Sequence, residues 1–280
     1  MSRIDILKTY KLYINGAFPR SESGRSYQLK DSKGQFIANP AQASRKDLRD
    51  AVSAARAAQP NWSNATAYNR GQILYRIAEI MQGRSEQFVN ELVAQSGVTA
   101  KAARTEVEAA IDLWVWYAGW SDKITAAAGG TNPIAAPYYN FTIPEPIGVV
   151  GIIAPEKDSL LGLVHGIAPA LAGGNTTVVL ASQSRPLCAI TLSEALATSD
   201  LPAGVVNILT GKKGELISWL ASHMEVDALD ISGAERQLDG EIKRAGTDNL
   251  KRIHRFTNQA SPNRILSFME YKTVWHPIGI

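Results

Sequence analysis

Over the first 121 residues, apolar side chains recur at a spacing that is typical of amphipathic helices. A capping box of Ser44 and Asp47 begins the first predicted helix, which we expect to end at Pro60. Two helices follow, the second ending at Gly97, and a fourth runs from about residue 100 to residue 121. Ahead of them, residues 11–16 and 35–37 predict a short pair of strands.

After residue 147, the apolar residues come instead in short continuous runs rich in β-branched side chains. The runs are GVVGIIA, TTVVL, VVNIL and VDALDI, and KRIHRF closes the series as a fifth predicted strand. Helix-length segments separate them at about residues 160–172, 186–198, 214–222 and 235–246. Such runs indicate strands buried on both faces, and the alternation indicates right-handed βαβ units. The predicted fold class is therefore α/β, with a Rossmann-like parallel sheet and helices on both of its faces.

Two further β-prone segments do not fit this alternation. YYNFTIPEP at 138–146 is bounded by prolines, and RILSFMEYKTVW at 264–275 follows a loop rather than a crossover helix. Because an unpaired apolar strand is an aggregation hazard, we expect a partner to cover this tail. The candidate interface residues are Leu266, Phe268, Tyr271, Lys272, Val274 and Trp275.

The composition narrows the class of protein. With 280 residues, 45% of them hydrophobic, the chain is long enough for a well-buried core. A net charge of +3 without a long single-sign run predicts no binding to nucleic acid or to a membrane surface. The only cysteine, Cys188, cannot form an internal disulfide, which favours a reducing, cytoplasmic location. Lys8 and Lys11 also stand where a secretory signal needs an apolar core.

Few residues stand out as candidates for chemistry on their own. Cys188 lies among apolar neighbours, so we interpret it as a buried structural thiol. The four histidines are scattered without the spacing of metal ligands, and we predict no metal site. Gly211 and Gly214 in TGKKGEL are typical either of a turn that approaches a phosphate or, more simply, of turn geometry alone.

Several segments, taken in order along the chain, resemble the aldehyde dehydrogenase superfamily. They are LYINGAFPRSESGRSYQL, ANPA, AVSAARAAQPNWS, YNRGQILYRIAEIM, EPIGVVGIIAP, IAPALAGGNTTVVL, LPAGVVNILTG, DNLKRI and FMEYKTVWHPIG. The resemblance implies an NAD-binding-like Rossmann domain over residues 1–137 and 147–258, with an oligomerisation β-flap over residues 138–146 and 259–280. The chain resembles a truncated form of the family that lacks the catalytic domain, similar to the second unit of aldehyde dehydrogenase family sixteen.

The motifs that carry chemistry in this family are altered here. The family motif Pro-Trp-Asn-Phe-Pro corresponds here to PEKDS, which begins at Pro155. Lys157 therefore replaces the asparagine that binds the oxyanion in the family. Lys-Pro-Ser-Glu, which holds the adenosine ribose, reads LASQ from Leu180. In the Phe-Thr-Gly-Ser turn only Gly233 remains, and Phe256 aligns with the general-base glutamate. The resemblance thus implies a degenerate cofactor cleft formed by Pro155, Lys157, Leu180, Ser182, Gln183, Gly211, Gly214 and Gly233.

The catalytic domain of the family, which carries the nucleophilic cysteine, is missing because KRIHRFTNQASPN passes almost directly to the terminal strand. The resemblance therefore predicts no catalytic residue and no bound cofactor, although NAD is possible and is expected on a partner.

We expect a non-catalytic subunit that pairs with a full-length NAD(P)-dependent aldehyde dehydrogenase and supports its assembly or its substrate tunnel. The alternatives are a stand-alone NAD(P)-dependent oxidoreductase, a scaffold or nucleic-acid-binding protein that reuses the fold, and a degraded fragment.

Overall fold

The computed structural model describes residues 6–279, and its first half is helical. The ends of the ranges assigned above, residues 1–5 and 280, lie outside the described residues. The five helices are α1 Arg45–Asn64, α2 Ala67–Gly83, α3 Ser85–Ser96, α4 Ala100–Trp120 and α5 Ile124–Ala128. The predicted capping box is confirmed, since Ser44 accepts from the backbone of Asp47 and the Asp47 carboxylate accepts from the backbone of Ser44. Gly97 ends α3 in the left-handed conformation, also as predicted.

The prediction that α1 ends at Pro60 is wrong. The helix continues through Pro60 to Asn64, although a proline inside a helix removes one backbone hydrogen bond. The reason lies in the last turn, where the indole of Trp62 is only 1% exposed. Burial of so large an apolar side chain offsets the cost of the proline.

A five-stranded parallel sheet forms the centre of the second half, as predicted. Its strands are β5 Val149–Ile153, β6 Thr176–Leu180, β7 Val206–Leu209, β8 Ala228–Asp230 and β9 Arg252–His254. The spatial order is β7-β6-β5-β8-β9. The helices between the strands are α6 Leu161–Ala172, α7 Leu187–Leu196, α8 Lys213–Ser222 and α9 Asp239–Ala245. Both faces of the sheet are covered, by α2, α3, α4, α6 and α7 on one side and by α1, α8 and α9 on the other.

The predicted pairing of residues 11–16 with residues 35–37 is wrong. β1 Leu29–Lys30 pairs with β2 Phe36–Ala38, and Tyr13 lies against the edge of the parallel sheet in an isolated bridge with Ile208. The local partner prevails because the Asp31 carboxylate accepts from the backbone of Lys33 and Gln35, which closes a tight turn between the two strands.

A separate three-stranded sheet contains both segments that do not fit the alternation. Its order is β10-β4-β3, with β3 Gly130–Thr131, β4 Tyr138–Pro146 and β10 Met269–Pro277. The predicted tail strand begins later than expected, because Pro262–Leu266 form the short helix α10. β10 is paired within the chain, in register with β4 from Met269 opposite Pro146 to Pro277 opposite Tyr138. Its other edge has no strand partner among residues 6–279.

The six candidate interface residues divide between the core and the surface. Phe268 is fully buried and so is not free to contact a partner, and Leu266 is half-buried against the same core. Their burial follows from α10, which turns this end of the tail inward. Tyr271 and Trp275 are 54% and 58% exposed, Lys272 is exposed and Val274 is half-buried.

Candidate functional site

A crevice opens at the carboxyl edge of the parallel sheet, where the loops after β5, β6 and β8 meet the first turn of α8. Its volume is about 490 Å³, within the range of small-molecule sites. In open α/β sheets, ligands bind outside the carboxyl ends of the strands, so this is the position that the fold offers to a ligand. The lining residues are Glu156, Gln183, Ser184, Lys213, Gly214, Ile217, Gly233, Ala234, Glu235 and Leu238.

The carboxylate of Glu156 is the centre of this crevice. Its Oε2 accepts from Ser182 Oγ at 2.7 Å, Ser184 N at 2.9 Å and Ser184 Oγ at 2.6 Å. Its Oε1 accepts from Gln183 N at 3.1 Å and lies 2.5 Å from Lys213 Nζ. Five donors therefore converge on a single carboxylate.

The ammonium of Lys213 joins the Glu156 carboxylate to the strand ends. Lys213 Nζ donates to the carbonyl oxygen of Ala154 at 2.8 Å and to that of Gly233 at 3.4 Å. Its side chain is 11% exposed, whereas that of Glu156 is 40% exposed and reaches the mouth of the crevice. A nearly buried cation requires a counter-charge, and Glu156 provides it.

The donors also determine the protonation of Glu156. Burial acts to raise the pKa of this carboxyl, but the hydrogen bonds from Lys213 and Ser184 outweigh it and lower the pKa from 4.5 to about 2. Because the pKa is depressed in the folded chain, the interaction stabilises the fold above about pH 4.5 and is lost as the pH falls towards 2. The ion pair is intact at neutral pH.

The glycines predicted for the cleft have different roles. A Cβ on Gly233 would lie 2.1 Å from the carbonyl of Ala154, so only glycine permits this close backbone approach. Gly211 has a φ of +135° and lies against the backbone of Ala43, outside the crevice lining. Gly214 lines the crevice with open space beside it.

The other predicted cleft residues are only partly brought together. Ser182 and Gln183 bind Glu156, and Pro155 packs against Gly162. Lys157 is exposed and does not line the crevice. Leu180 is 1% exposed in the apolar core, because the last position of β6 faces the helices rather than the strand edge.

Phe256, which the sequence comparison predicts to replace a general base, belongs to an aromatic cluster. Its ring stacks on His254 at 5.5 Å, meets Phe268 edge-on at 5.7 Å, and lies 4.5 Å from the guanidinium of Arg264. It contributes packing and has no group that accepts a proton.

Sequence reasoning missed the two residues that dominate the crevice, Glu156 and Lys213. Both are charged residues within a few positions of the carboxyl end of a predicted buried strand. The carboxyl ends of parallel strands bring such side chains together, so this position is the signal that could have identified them. Glu156 stood beside the lysine that drew attention in the altered motif. Lys213 lies between the two glycines of TGKKGEL, whose pattern by itself indicates only a turn.

Cys188 is a fully buried thiol on α7, as the sequence predicts. Its Sγ donates to the carbonyl oxygen of Phe88 at 3.7 Å and accepts from Gln95 Nε2 at 3.7 Å. Burial, with a further contribution from the charge of Glu91, raises the pKa of the thiol well above its usual range. Within residues 6–279, no group of three or more histidine, cysteine or acidic side chains is placed to hold a metal ion.

We therefore expect Cys188 to resist alkylation in the folded chain. Iodoacetamide should label it more than about tenfold more slowly than in the urea-unfolded chain, since the thiolate is the reactive form and the thiol is enclosed. Mass spectrometry of timed samples measures both rates, with Cys188→Ser as the blank. Equal rates in the two states would contradict the buried assignment.

Comparison with known proteins gives consistent matches. The sequence profile of the aldehyde dehydrogenase family matches residues 19–273. Aldehyde dehydrogenase family 2 member B4, mitochondrial, from Arabidopsis thaliana is 35% identical over 87% of this chain and 45% of its own length. Retinal dehydrogenase 2 from Homo sapiens is 32% identical over 93% of this chain and 51% of its own.

Solved structures are similar over the same extent. A putative aldehyde dehydrogenase from Burkholderia cenocepacia superimposes with a TM-score of 0.84 at 30% identity, over 88% of this chain and 50% of that one. The NAD+ complex of aldehyde dehydrogenase from Bacillus cereus superimposes with a TM-score of 0.82 at 26% identity, with the same coverage. The chain spans about half the length of the relatives it matches. None of the helices described between residues 6 and 279 has the length and apolar character needed to cross a bilayer.

Proposed function

This chain belongs to the aldehyde dehydrogenase family, and we propose that it is a non-catalytic subunit that assembles with a full-length NAD(P)-dependent aldehyde dehydrogenase. Its role is to support the assembly or the substrate tunnel of that enzyme. The arrangement would resemble family sixteen, in which a complete unit is joined to a truncated one. A reducing cytoplasm is the proposed compartment, where the lone thiol of Cys188 stays reduced.

The direct connection between β9 and β10 is the observation that carries this proposal. After His254, residues 255–268 form one loop and α10, and they contain no cysteine. Hydrogen bonds hold this connection against the rest of the fold. Asn175 Nδ2 donates to the carbonyl oxygen of Phe268 at 2.9 Å, and Tyr117 Oη donates to that of Ser261 at 3.5 Å. A domain carrying the nucleophile has no place in it. Acyl transfer through a thiolate needs that nucleophile together with an oxyanion donor and a base.

The exposed edge of β10 supports the choice of partner. A nine-residue edge strand with exposed Tyr271 and Trp275 offers unpaired backbone groups and apolar rings to another sheet. We propose that it adds to a sheet of the partner by β-augmentation. On this view residues 138–146 and 259–280 are the oligomerisation flap, and residues 1–137 and 147–258 are the NAD-binding-like domain.

Co-purification tests the assembly. The tagged chain is co-expressed with a full-length aldehyde dehydrogenase from the same genome, and the mass of the particle is measured by size-exclusion chromatography with light scattering. We expect a mixed particle, and we expect Tyr271→Glu/Trp275→Glu to abolish it by placing charge at the edge. The matched control is Trp219→Glu, which changes a 41% exposed tryptophan on α8. A chain that stays monomeric beside such a partner, or a mixed particle that tolerates the β10 variant, would sink the proposal.

Activity of the isolated chain tests the non-catalytic part. We expect no aldehyde-dependent reduction of NAD or NADP. Turnover by the purified chain would instead favour the stand-alone oxidoreductase.

A further inference from the structure

The crevice at the carboxyl edge disagrees with the cofactor of the solved relatives. In the Bacillus cereus enzyme that superimposes on this chain, the structure is an NAD+ complex. Here the five donors of the crevice are all engaged by Glu156, so none of them is left to bind the phosphates of a dinucleotide. The residues present do not fit a dinucleotide.

We propose that Glu156 is an internal occupant of a phosphate-binding cradle, and that removing its carboxylate opens the crevice to a phosphate monoester. The inference goes beyond the assembly role proposed above and does not depend on it. The inference concerns the ligand that the donors around Glu156 would bind if the carboxylate were absent.

The chemistry of the donors identifies the ligand class. Two backbone N–H groups, of Gln183 and Ser184, stand beside the hydroxyls of Ser182 and Ser184 and the ammonium of Lys213. Backbone amides of a turn together with hydroxyls and one lysine are the groups that cradle phosphate in proteins. A carboxylate has two acceptor oxygens and a phosphate monoester has three, so the same donors suit the larger anion.

The space beside the cradle has room for an ester. The crevice of about 490 Å³ continues from the Glu156 carboxylate along Gly214 and Ile217 to Leu238, which supply an apolar wall. The open space beside Gly214 leaves this wall accessible. A nucleoside carried on the phosphate would lie along it.

The Glu156 carboxylate keeps free anions from the donors of the cradle because it is part of the same chain. A group attached to the same chain competes at an effective concentration in the millimolar range or above, so a free anion must displace it at every binding event. Since Glu156 is 40% exposed and lines the crevice, its removal exposes the donors to solvent rather than leaving a sealed void.

Titration calorimetry of the full chain with AMP, inorganic phosphate and NAD tests the proposal. We expect the wild-type chain to bind none of them below millimolar concentration. Glu156→Ala should bind AMP about tenfold or more tightly than the wild type, since the tethered competitor is gone. In the same background, Lys213→Met should remove the gain. Circular dichroism confirms the fold of each variant, and Glu156→Gln, which keeps the side-chain volume and removes the charge, is decisive if the alanine variant does not fold.

Glu235→Ala is the matched control. It removes another acidic side chain from the crevice lining, one whose carboxylate accepts a hydrogen bond from Gln237 and not from the donors around Glu156. If this variant gains AMP affinity equally, the gain comes from general charge and the cradle is disproved. The proposal is also overturned if Glu156→Ala binds AMP no better than the wild type, if only inorganic phosphate gains, or if the wild type binds NAD at micromolar concentration. None of these outcomes bears on the mixed particle, which co-purification tests separately.

Discussion

Replacing Arg264 by methionine should lower the free energy of unfolding by about 3–5 kcal/mol, because it strands a buried charge. Arg264 lies on α10, and its Nη2 is 3.2 Å from the Asp230 carboxylate at the end of β8. The two side chains are only 5% and 2% exposed. Without the guanidinium, the Asp230 carboxylate keeps, among residues 6–279, its hydrogen bonds from Ser232 and no ion-pair partner.

The double variant Asp230→Asn/Arg264→Met separates the pair from the packing. Asparagine still accepts from the backbone of Ser232, and no buried charge remains, so most of the lost stability should return. Urea unfolding at neutral pH, followed by tryptophan fluorescence, measures all of these chains. If Arg264→Met stays within about 1 kcal/mol of the wild type, the ion pair does not hold the connection in place.

The Arg264–Asp230 ion pair lies where the chain leaves the parallel sheet for the tail. Arg264 Nη1 also donates to the carbonyl oxygen of Thr257 at 3.1 Å, so that one side chain ties α10, the preceding loop and the end of β8 together. This is the segment that passes from the parallel sheet to the tail. The short helix α10 and this ion pair therefore close the core at this point.

The parallel sheet was predictable because its signals are local. Runs such as TTVVL and VVNIL are short and rich in β-branched apolar residues, which is typical of strands buried on both faces. The capping box at Ser44 and the left-handed Gly97 are likewise determined by a few neighbouring residues. Contacts between residues distant in the sequence were not predictable. The bridge of Tyr13 with Ile208 and the burial of Trp62, which carries α1 past Pro60, depend on such contacts.

The site was predictable only in its position. The alternation of strands and helices locates a crevice at the carboxyl edge, and Ser182, Gln183, Gly214 and Gly233 do line or border it. Comparison with family motifs drew attention to Lys157, which is exposed. The ion pair in the crevice joins Glu156, after β5, to Lys213, at the start of α8. The two residues are far apart in the sequence, so no local pattern predicts that they pair.

The tail shows the same limit, because its apolar residues look alike in the sequence and differ in the structure. Phe268 packs against His254 and Phe256 at ring distances of 5.8 and 5.7 Å. The ring of Trp275 meets that of Tyr138 edge-on at 5.9 Å and is 58% exposed. The turn at α10 decides which residues face inward. One end of the tail therefore stabilises the fold, and the other is free for a partner.

Phe268→Ala should therefore lower the free energy of unfolding by about 3–5 kcal/mol, since it leaves a cavity beneath a fully buried ring. Trp275→Ala, which removes an even larger side chain from the same tail, should change it by no more than about 0.5 kcal/mol. Urea unfolding of the isolated chain measures both. Comparable losses in the two variants would contradict the division of the tail, because the exposed rings of β10 would then belong to this chain's own core rather than to a surface for another subunit.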